Sequence, residues 1–352
     1  MRRALELLMN KLPSHSAALV SAPHHLRYLT GYPSGESWLL VTCEKAYFLT
    51  DSRYIEMAQR TVEGAECRCI VKLTDELGKL VRQHGITAVY VEETQTTAAE
   101  RARLSAALPL AEGELDAWLS AMRLIKTEEE LRKIEQAQAL TEAGFEHILS
   151  YIREGVTERE VALELEFYIR RQGAQRMAFD TIVVSGANGS LPHGIPSDKP
   201  IHRGEFITMD FGAVVDGYHS DMTRTVALGT VNDEQRMVYD TVLRAQQASM
   251  AVLRAGLPCV EGDAAARRVI EAAGYGAFFG HGTGHGVGLE IHEAPRLSPH
   301  AGEALLEVGH VVTVEPGIYL PGNCGVRIEN MVVITENGCR SLTNTPTDLL
   351  CL

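Results

Sequence analysis

The chain has 352 residues, of which 45% are hydrophobic and 22% are charged, and its formal net charge is −13. This length exceeds one comfortable hydrophobic core and predicts a globular protein of two domains. The acidic balance argues against nonspecific nucleic-acid binding, which needs a surplus of Lys and Arg facing phosphates. The seven cysteines include no Cys-x-x-Cys pair, which favours free thiols in the cytoplasm over a disulfide framework.

The N-terminal third of the sequence alternates strand-like and helical patterns. Residues 1–12 begin with a positive charge like a signal peptide, but polar residues interrupt the apolar positions, which recur at helical spacing. We therefore expect a short amphipathic helix there. Strand-like runs at 17–22, 38–42, 46–50 and 87–92 indicate a small α/β domain. No run reaches the roughly 18 apolar residues of a membrane span, so we expect no contact with a membrane.

Helix-start signals predict a second domain after residue 122. Two Thr-x-x-Glu segments, beginning at Thr127 and Thr157, have the spacing of a capping box, in which the hydroxyl and the carboxylate satisfy reciprocal backbone donors. Long helical patterns follow at residues 233–255 and 262–273. Strand-like segments lie between these helices, which is typical of an α+β arrangement.

One β-hairpin is the most informative pattern in the chain. Asp216-Gly217 between apolar extended runs predicts a two-residue turn, because this turn needs positive φ at both central positions. Counting outward from the turn places Gly212 opposite Asp221 and puts Asp210 on the same face as Asp221. Two carboxylates on one face repel each other unless a multivalent cation lies between them. The hairpin therefore predicts half of a metal site.

Three later segments supply further polar side chains of the kind that bind metal or substrate. Their candidate residues are His281, His285, His292 and Arg296 in the first segment, Glu315 and Tyr319 in the second, and Arg327 and Glu329 in the third. The first segment is too rich in glycine for a His-Glu-x-x-His zinc helix, and its spacing does not fit a Gly-x-Gly-x-x-Gly phosphate loop. We expect its glycines to let the backbone and the ligands approach closely.

In order and spacing, the hairpin and these segments resemble the metallopeptidase superfamily of methionine aminopeptidase, prolidase and aminopeptidase P, which has the pita-bread fold. The resemblance runs from about residue 122 to the C terminus. It implies five metal ligands, which are Asp210, Asp221, His285, Glu315 and Glu329. Four carboxylates and one imidazole suit two divalent ions, with Mn²⁺ or Co²⁺ favoured and Zn²⁺ as a further candidate.

Two N-terminal segments, residues 28–32 and 50–54, resemble the N-terminal domain of creatinase, prolidase and aminopeptidase P enzymes. Methionine aminopeptidases lack this domain. The resemblance implies an α/β creatinase-like domain at residues 1–122 and an α+β pita-bread catalytic domain at residues 123–352. It also implies a homodimer, in which the N-terminal domain helps to wall off the site of the partner subunit.

The reaction implied by the resemblance is hydrolysis of the Xaa-Pro bond in dipeptides or at peptide N termini. Glu315 would be both metal ligand and proton shuttle, while His292 and His193 would contact the substrate and stabilise the tetrahedral intermediate. The other residues that match substrate-binding positions are His281, Arg296, Tyr319 and Arg327. Proline-containing di- or oligopeptides are thus the expected substrates.

The choice between dipeptidase and aminopeptidase P stays open. One possibility is that Arg296 binds the C-terminal carboxylate of a dipeptide through two hydrogen bonds, as the resemblance to prolidases implies. The alternative is that Arg296 is an exposed arginine after proline without a role in binding. Glu315 and Glu329 are fourteen positions apart, a spacing more similar to prolidases and small bacterial Xaa-Pro peptidases than to aminopeptidase P. A broader-specificity aminopeptidase, a non-catalytic pita-bread binding protein and a creatinase-like amidinohydrolase are alternatives. The last two classes typically lack the five ligands.

Two details near the last ligand give further expectations. Arg327 lies two residues before Glu329, so in a strand the two side chains would share a face and make a charge-assisted contact. Asn330 stands where members of the family usually have Asp. We expect this departure to remove a carboxylate that would support the ligands.

Overall fold

The computed structural model describes residues 3–352 and divides into two compact units, Met1–Arg123 and Leu124–Leu352. The helices of the first unit are α1 (Arg3–Lys11), α2 (Pro23–Thr30), α3 (Ile55–Thr61), α4 (Leu73–Gln83), α5 (Ala98–Ser105) and α6 (Leu115–Leu124). Its strands are β1 (Ser16–Val20), β2 (Ser37–Thr42), β3 (Ala46–Thr50), β4 (Glu66–Cys69) and β5 (Ala88–Val91). They form one sheet in the order β4-β3-β2-β1-β5, with parallel pairing at both edges.

The sequence patterns of this unit are largely confirmed. Leu5 and Leu8 of α1 are fully buried, as expected of an amphipathic helix. Four strands form where strand-like runs were predicted. β4 was missed, because it pairs only with β3 at the sheet edge and its sequence, Glu-Cys-Arg-Cys, has no β-branched or aromatic residue.

The helices of the second unit begin close to their predicted positions. They are α7 (Glu128–Leu149), α8 (Glu158–Arg171), α9 (Asp233–Val252) and α10 (Cys259–Ala272), with short 3₁₀ turns at Gly186–Ser190 and Gly276–Phe278. Both predicted capping boxes, at Thr127 and Thr157, are present. α10 starts three residues earlier than its pattern indicated, directly after Pro258. No helix within residues 3–352 combines the length and the apolar character needed to cross a bilayer.

The strands of the second unit all pair antiparallel. They are β6 (Arg176–Met177), β7 (Ile182–Ser185), β8 (Phe206–Phe211), β9 (Ala213–Val215), β10 (Tyr218–His219), β11 (Met222–Ala227), β12 (Gly284–Gly286), β13 (Glu293–Leu297), β14 (Val311–Val314), β15 (Gly317–Leu320), β16 (Cys324–Arg327), β17 (Asn330–Ile334) and β18 (Cys339–Ser341). The sheets have the orders β10-β9-β6, β11-β8-β7, β13-β12-β14-β17-β18 and β15-β16. Buried apolar side chains of β8 and β11 pack against α7 and α8, which leaves polar positions of these strands for the site.

The predicted hairpin is confirmed in its turn and in its register. Asp216 and Gly217 have φ of 46° and 80°, and Val215 pairs with Tyr218. The same register continues to β8 and β11, where Asp210 pairs with Thr223. Gly212 therefore lies opposite Asp221, and the two aspartates lie on one face as expected.

Candidate metal centre

A cavity of about 1130 Å³ in the second unit collects every residue that the sequence analysis assigned to the site. The expected metal ligands in its lining are Asp210, Asp221, His285, Glu315 and Glu329. The other expected site residues in its lining are His193, His281, His292, Arg296, Tyr319 and Arg327. Side chains from segments far apart in the sequence thus line one cavity.

Glycine allows the strands that hold these residues to approach closely. A Cβ on Gly212, opposite Asp221, would lie 1.9 Å from the carbonyl oxygen of Ser220. A Cβ on Gly284, next to His285, would lie 1.9 Å from the carbonyl oxygen of Thr313. No side chain fits at such distances, so the glycine-rich spacing serves close backbone packing.

Three of the expected ligands already lie close to one another. Ligand atoms of Asp221, His285 and Glu329 all lie within 4.8 Å of each other, and the three residues are buried. Nε2 of His285 lies 3.5 Å from Oδ2 of Asp221 and 3.3 Å from Oε1 of Glu315. The imidazole of His285 is therefore close to three of the four expected carboxylate ligands.

The hydrogen bonding of His285 leaves one ring nitrogen free to bind a metal. Nδ1 lies 3.0 Å from the carbonyl oxygen of Gly286, which can only accept, so Nδ1 carries the proton. Burial lowers the pKa of His285 to about 3, so the ring is neutral. The lone pair of Nε2 then faces the oxygens of Asp221 and Glu315, an arrangement that a bound cation would turn from repulsive to attractive.

Burial and mutual repulsion raise the pKa values of the carboxyl groups in the cavity. Burial, with Glu329 and Asp210 nearby, raises the pKa of Asp221 well above its usual range. Burial, with Glu315 and Asp210 nearby, also raises the pKa of Glu329 well above its usual range. Burial raises the pKa of Glu315 to about 8. Within residues 3–352, Oδ1 of Asp210 and Oε1 of Glu329 are buried without a hydrogen-bond partner. Orphaned oxygens, clustered carboxylates and one aimed imidazole fit a site for divalent cations.

Arg327 is the cation that contacts this cluster, but its partner differs from the expected one. Its Nη2 donates to Oδ2 of Asp210 at 2.6 Å, and its Nε donates to Oγ1 of Thr223 at 3.1 Å. Glu329 accepts instead from Oγ1 of Thr223 at 2.7 Å. Arg327 and Glu329 therefore meet at the Thr223 hydroxyl instead of in direct contact, although the charge of Arg327 opposes the rise that burial causes in the pKa of Glu329. β16 ends at Arg327 and β17 begins at Asn330, so the alternation of faces is interrupted at Glu329.

His281, Tyr319 and Arg327 form a chain of hydrogen bonds along the cavity wall. Nη1 of Arg327 donates to the Tyr319 hydroxyl at 2.8 Å, and that hydroxyl lies 2.9 Å from Nε2 of His281. Nδ1 of His281 donates to the carbonyl oxygen of Gly282 at 2.8 Å. Tyr319 consequently donates to His281. Burial lowers the pKa of His281 to about 4, so this ring is neutral as well.

The exposed side of the cavity presents His193, His292 and Arg296. The rings of His292 and His285 lie 4.4 Å apart between centroids, and Arg296 is the direct partner of His285 across the β12–β13 ladder. Burial and then the charges of Arg296 and His193 lower the pKa of His292, as expected for neighbours. Within residues 3–352, the guanidinium of Arg296 forms no hydrogen bond or ion pair, so it is available to an anion.

Asn330 lies beside the centre without touching a ligand side chain. Its Oδ1 accepts from Nη2 of the buried Arg224 at 2.9 Å. Arg224 in turn donates through Nη1 to the carbonyl oxygen of Glu329 at 2.5 Å. A carboxylate at position 330 would therefore pair with Arg224 and would not contact a ligand side chain directly. The expected loss of support for the ligands through Asn330 stays a prediction.

Several residues of the cavity wall were missed by the sequence analysis. Phe179, Asp180 and Thr181 lie between β6 and β7, where no motif marks them. Arg267 and Phe279 also line the cavity. The only signal for Arg267 is its spacing of four residues from Asp263 on a predicted helix, which is typical of a surface ion pair.

Comparisons with known proteins cover both units. The model of metallopeptidase family M24 matches residues 132–336, and that of the creatinase/prolidase N-terminal domain matches residues 3–125. The chain is 36% identical to the Xaa-Pro dipeptidase of Pyrococcus furiosus, over 99% of this chain and 100% of that protein. Its structure resembles a Xaa-Pro dipeptidase from Bacillus anthracis, with 40% identity, a TM-score of 0.94 and 99% of each chain covered. It also resembles an X-Pro aminopeptidase from Thermotoga maritima, with 37% identity and a TM-score of 0.92 over 98% of this chain and 100% of that one.

Proposed function

Because the chain belongs to metallopeptidase family M24, we propose that it is a dinuclear-metal exopeptidase that hydrolyses the bond before proline. The observation that carries this proposal is the cavity in which four carboxylates and one neutral imidazole converge. A non-catalytic binding protein of the same fold would not need to keep this repulsive set of side chains buried together. The names of the relatives from Pyrococcus furiosus and Bacillus anthracis support Xaa-Pro as the substrate class.

The residues proposed to hold the metals are Asp210, Asp221, His285, Glu315 and Glu329. We favour Mn²⁺ or Co²⁺ over Zn²⁺, because the donor set is rich in oxygen and contains no thiolate. When bound, the metals would supply Lewis acidity and a nucleophile at neutral pH.

The chain's own residues would position the peptide and move its protons. Glu315 is the proposed proton shuttle, since it faces the cavity and its hydrogen bond to Thr313 orients it. His292 and His193 are the proposed donors to the developing oxyanion, because both lie on the exposed side of the cavity. His281, Tyr319 and Arg327 would form a rigid wall of the site through the hydrogen bonds that connect them.

Arg296 supports dipeptides as the preferred substrates. Its guanidinium lines the cavity, lies across the ladder from His285, and is exposed. A dipeptide Xaa-Pro ends in a carboxylate close to the scissile bond, and a guanidinium can bind that group with two parallel hydrogen bonds. The similarity to the aminopeptidase of Thermotoga maritima supports the second candidate, removal of a residue before proline from longer peptides.

The test compares Ala-Pro with Ala-Pro-Ala after metal removal and return of Mn²⁺, Co²⁺ or Zn²⁺. We expect chelation to abolish activity and Mn²⁺ or Co²⁺ to restore it. Arg296→Ala should lower kcat/KM for the dipeptide by roughly 10- to 100-fold, because it removes a charge-assisted contact. The tripeptide, which has an amide at that point, should lose much less.

Arg254→Ala is the matched control, since Arg254 is exposed and does not line the cavity. Equal losses for both substrates in Arg296→Ala would contradict carboxylate binding. Full activity in a preparation verified to be metal-free would contradict the dinuclear assignment itself.

Three further features of the proposed enzyme are open to direct measurement. We propose domains at residues 1–122 and 123–352, a division supported by the compact units that meet after Arg123. We propose a homodimer, which sedimentation equilibrium would test. A cytoplasmic location is supported by the seven free cysteines and would be tested by cell fractionation.

A further inference from the structure

The glycine residues on both sides of His281 have no side chains with which to anchor this segment. Gly280 and Gly282 flank His281, and nothing lies within 4 Å of the position that a Cβ on Gly280 would take. Glycine backbone loses more conformational freedom on folding than any other residue, so such a segment needs contacts from elsewhere. Gly282 packs closely against Leu297 and Ser298, and further contacts come from α10.

Asp263 and Arg267 of α10 form an ion pair directed at this segment. Nε and Nη2 of Arg267 donate to the two carboxylate oxygens of Asp263 at 2.9 and 3.0 Å. The Asp263 side chain is only 2% exposed and that of Arg267 is 22% exposed. This is a partly buried, two-pronged pair, unlike the solvated helix pairs that contribute little.

The remaining hydrogen bonds of the pair hold alternate residues of the segment. Arg267 donates through Nη1 to the carbonyl oxygen of Phe279 at 3.0 Å and through Nη2 to that of His281 at 2.8 Å. Oδ1 of Asp263 accepts from the backbone N–H and the hydroxyl of Thr283, each at 3.0 Å. The guanidinium also lies 4.3 Å above the Phe279 ring. Both sides of His281 are therefore fixed to one helix.

From this ion pair, a connected path leads to the centre of the cavity. His281 meets the Tyr319 hydroxyl, which accepts from Arg327, and Arg327 donates to Asp210. A second path runs from Thr283, whose carbonyl oxygen accepts from the backbone N–H of Glu315 at 2.7 Å. Movement of residues 279–283 would thus displace a substrate-binding wall and an expected metal ligand together.

We infer that Asp263 and Arg267 are positioning residues for the peptidase reaction, acting through His281 rather than on the substrate. The pair fixes the backbone of residues 279–283, so that the neutral His281 ring presents Nε2 to Tyr319. The inference rests on the proposed function for its kinetic readout. It assigns no contact with substrate to either residue.

Kinetic coupling to His281 tests the inference. We expect Arg267→Ala to lower kcat for Ala-Pro by roughly 10- to 100-fold, because the transition state is positioned less well, and to raise KM as the substrate-binding wall moves. In a His281→Ala background the same substitution should lower kcat by a clearly smaller factor, because the His281 side chain is missing and only the path through Thr283 to Glu315 remains. Loss of thermal stability should be equal in both backgrounds. Equal kcat losses in both backgrounds would overturn the inference.

Arg268→Ala is the matched control on the same helix. Arg268 makes an exposed ion pair with Glu261 at 3.6 Å, and we expect no change in kcat. If Arg267→Ala does not fold, Arg267→Lys replaces it in the cycle, since a single ammonium keeps the charge but cannot reach Asp263 and two carbonyl groups at once.

A spectroscopic readout separates this inference from the proposed function. In protein with ¹⁵N-labelled histidine, His281 should show the Nδ1–H tautomer, with its signal assigned by its loss in His281→Ala. Arg267→Ala should shift or broaden that signal, and Arg268→Ala should not. If the wild type does not cleave Xaa-Pro peptides, the proposed function fails while this result still decides the inference. An unchanged His281 signal in Arg267→Ala would overturn it.

Discussion

The carboxylates gathered in the cavity should make the metal-free protein lose stability as the pH rises above neutral. A carboxyl whose pKa is higher in the folded than in the unfolded state binds its proton more tightly when folded. Its contribution to stability is therefore lost as the pH rises through the folded pKa. Burial puts the pKa of Glu315 at about 8, and Asp221 and Glu329 are also raised. In Glu315→Gln, position 315 has no carboxyl group to titrate, so its contribution to this pH dependence disappears.

The magnitude is set by the number of protons that the folded state holds and the unfolded state does not, between about pH 7 and pH 8. A carboxyl with a folded pKa near 8 contributes about 1 kcal/mol of lost stability over this interval, and one still protonated at pH 8 contributes about 1.4 kcal/mol. Three carboxyls have a raised pKa, so we expect the metal-free wild type to lose between about 1 and 4 kcal/mol. Burial lowers the pKa of several histidines, so they oppose this loss, but only slightly, because most unfolded histidine is already neutral above pH 7.

The free energy of unfolding of the metal-free protein is measured by urea denaturation at about pH 7 and about pH 8. Glu315→Gln should reduce the loss by about 1 kcal/mol, because it removes the proton that Glu315 would release. Glu336→Gln, at an exposed turn far from the cavity lining, should behave as the wild type. Bound Mn²⁺ should abolish the loss, since it replaces the protons as the countercharge. A metal-free wild type equally stable at both pH values would refute the reasoning.

Two further predictions concern the exposed histidines and the glycine packing. His292→Ala and His193→Ala should each lower kcat by roughly 10²–10³-fold with metal content unchanged, because each removes one donor to the oxyanion; loss of metal with normal kcat per bound ion would contradict this role. Gly284→Ala should destabilise the fold by more than about 3 kcal/mol in thermal unfolding, because its Cβ would lie 1.9 Å from a carbonyl oxygen, whereas Gly280→Ala has free space and should cost less than about 1 kcal/mol.

Local patterns in the sequence were sufficient where one element determines the geometry. The turn at Asp216-Gly217 fixes the register of its own strands, so the shared face of Asp210 and Asp221 follows by counting. The capping boxes at Thr127 and Thr157 likewise depend on residues three positions apart. The resemblance to the family then supplied which distant residues belong together.

Contacts between distant segments could not be derived in this way. Arg327 pairs with Asp210, a residue of another strand, although Glu329 is nearer in sequence. Asp263 and Arg267 have the spacing of an ordinary helix pair, and nothing in the sequence shows that a glycine-rich segment lies against them. Such partners are decided by how the sheets and helices pack, which periodicity does not encode.

The same features that suit the cavity to metals make the empty fold costly. Buried oxygens of Asp210 and Glu329 lack hydrogen-bond partners within residues 3–352, and Arg327 directly neutralises only Asp210. Glycines at positions 212 and 284 allow the strands that carry these ligands to pack closely. Metal binding should therefore relieve the repulsion between the carboxylates and stabilise the folded state, so affinity for metal and resistance to unfolding are linked. A substitution that relaxes the cluster, such as Glu315→Gln, is accordingly expected to stabilise the metal-free protein and to weaken its hold on metal.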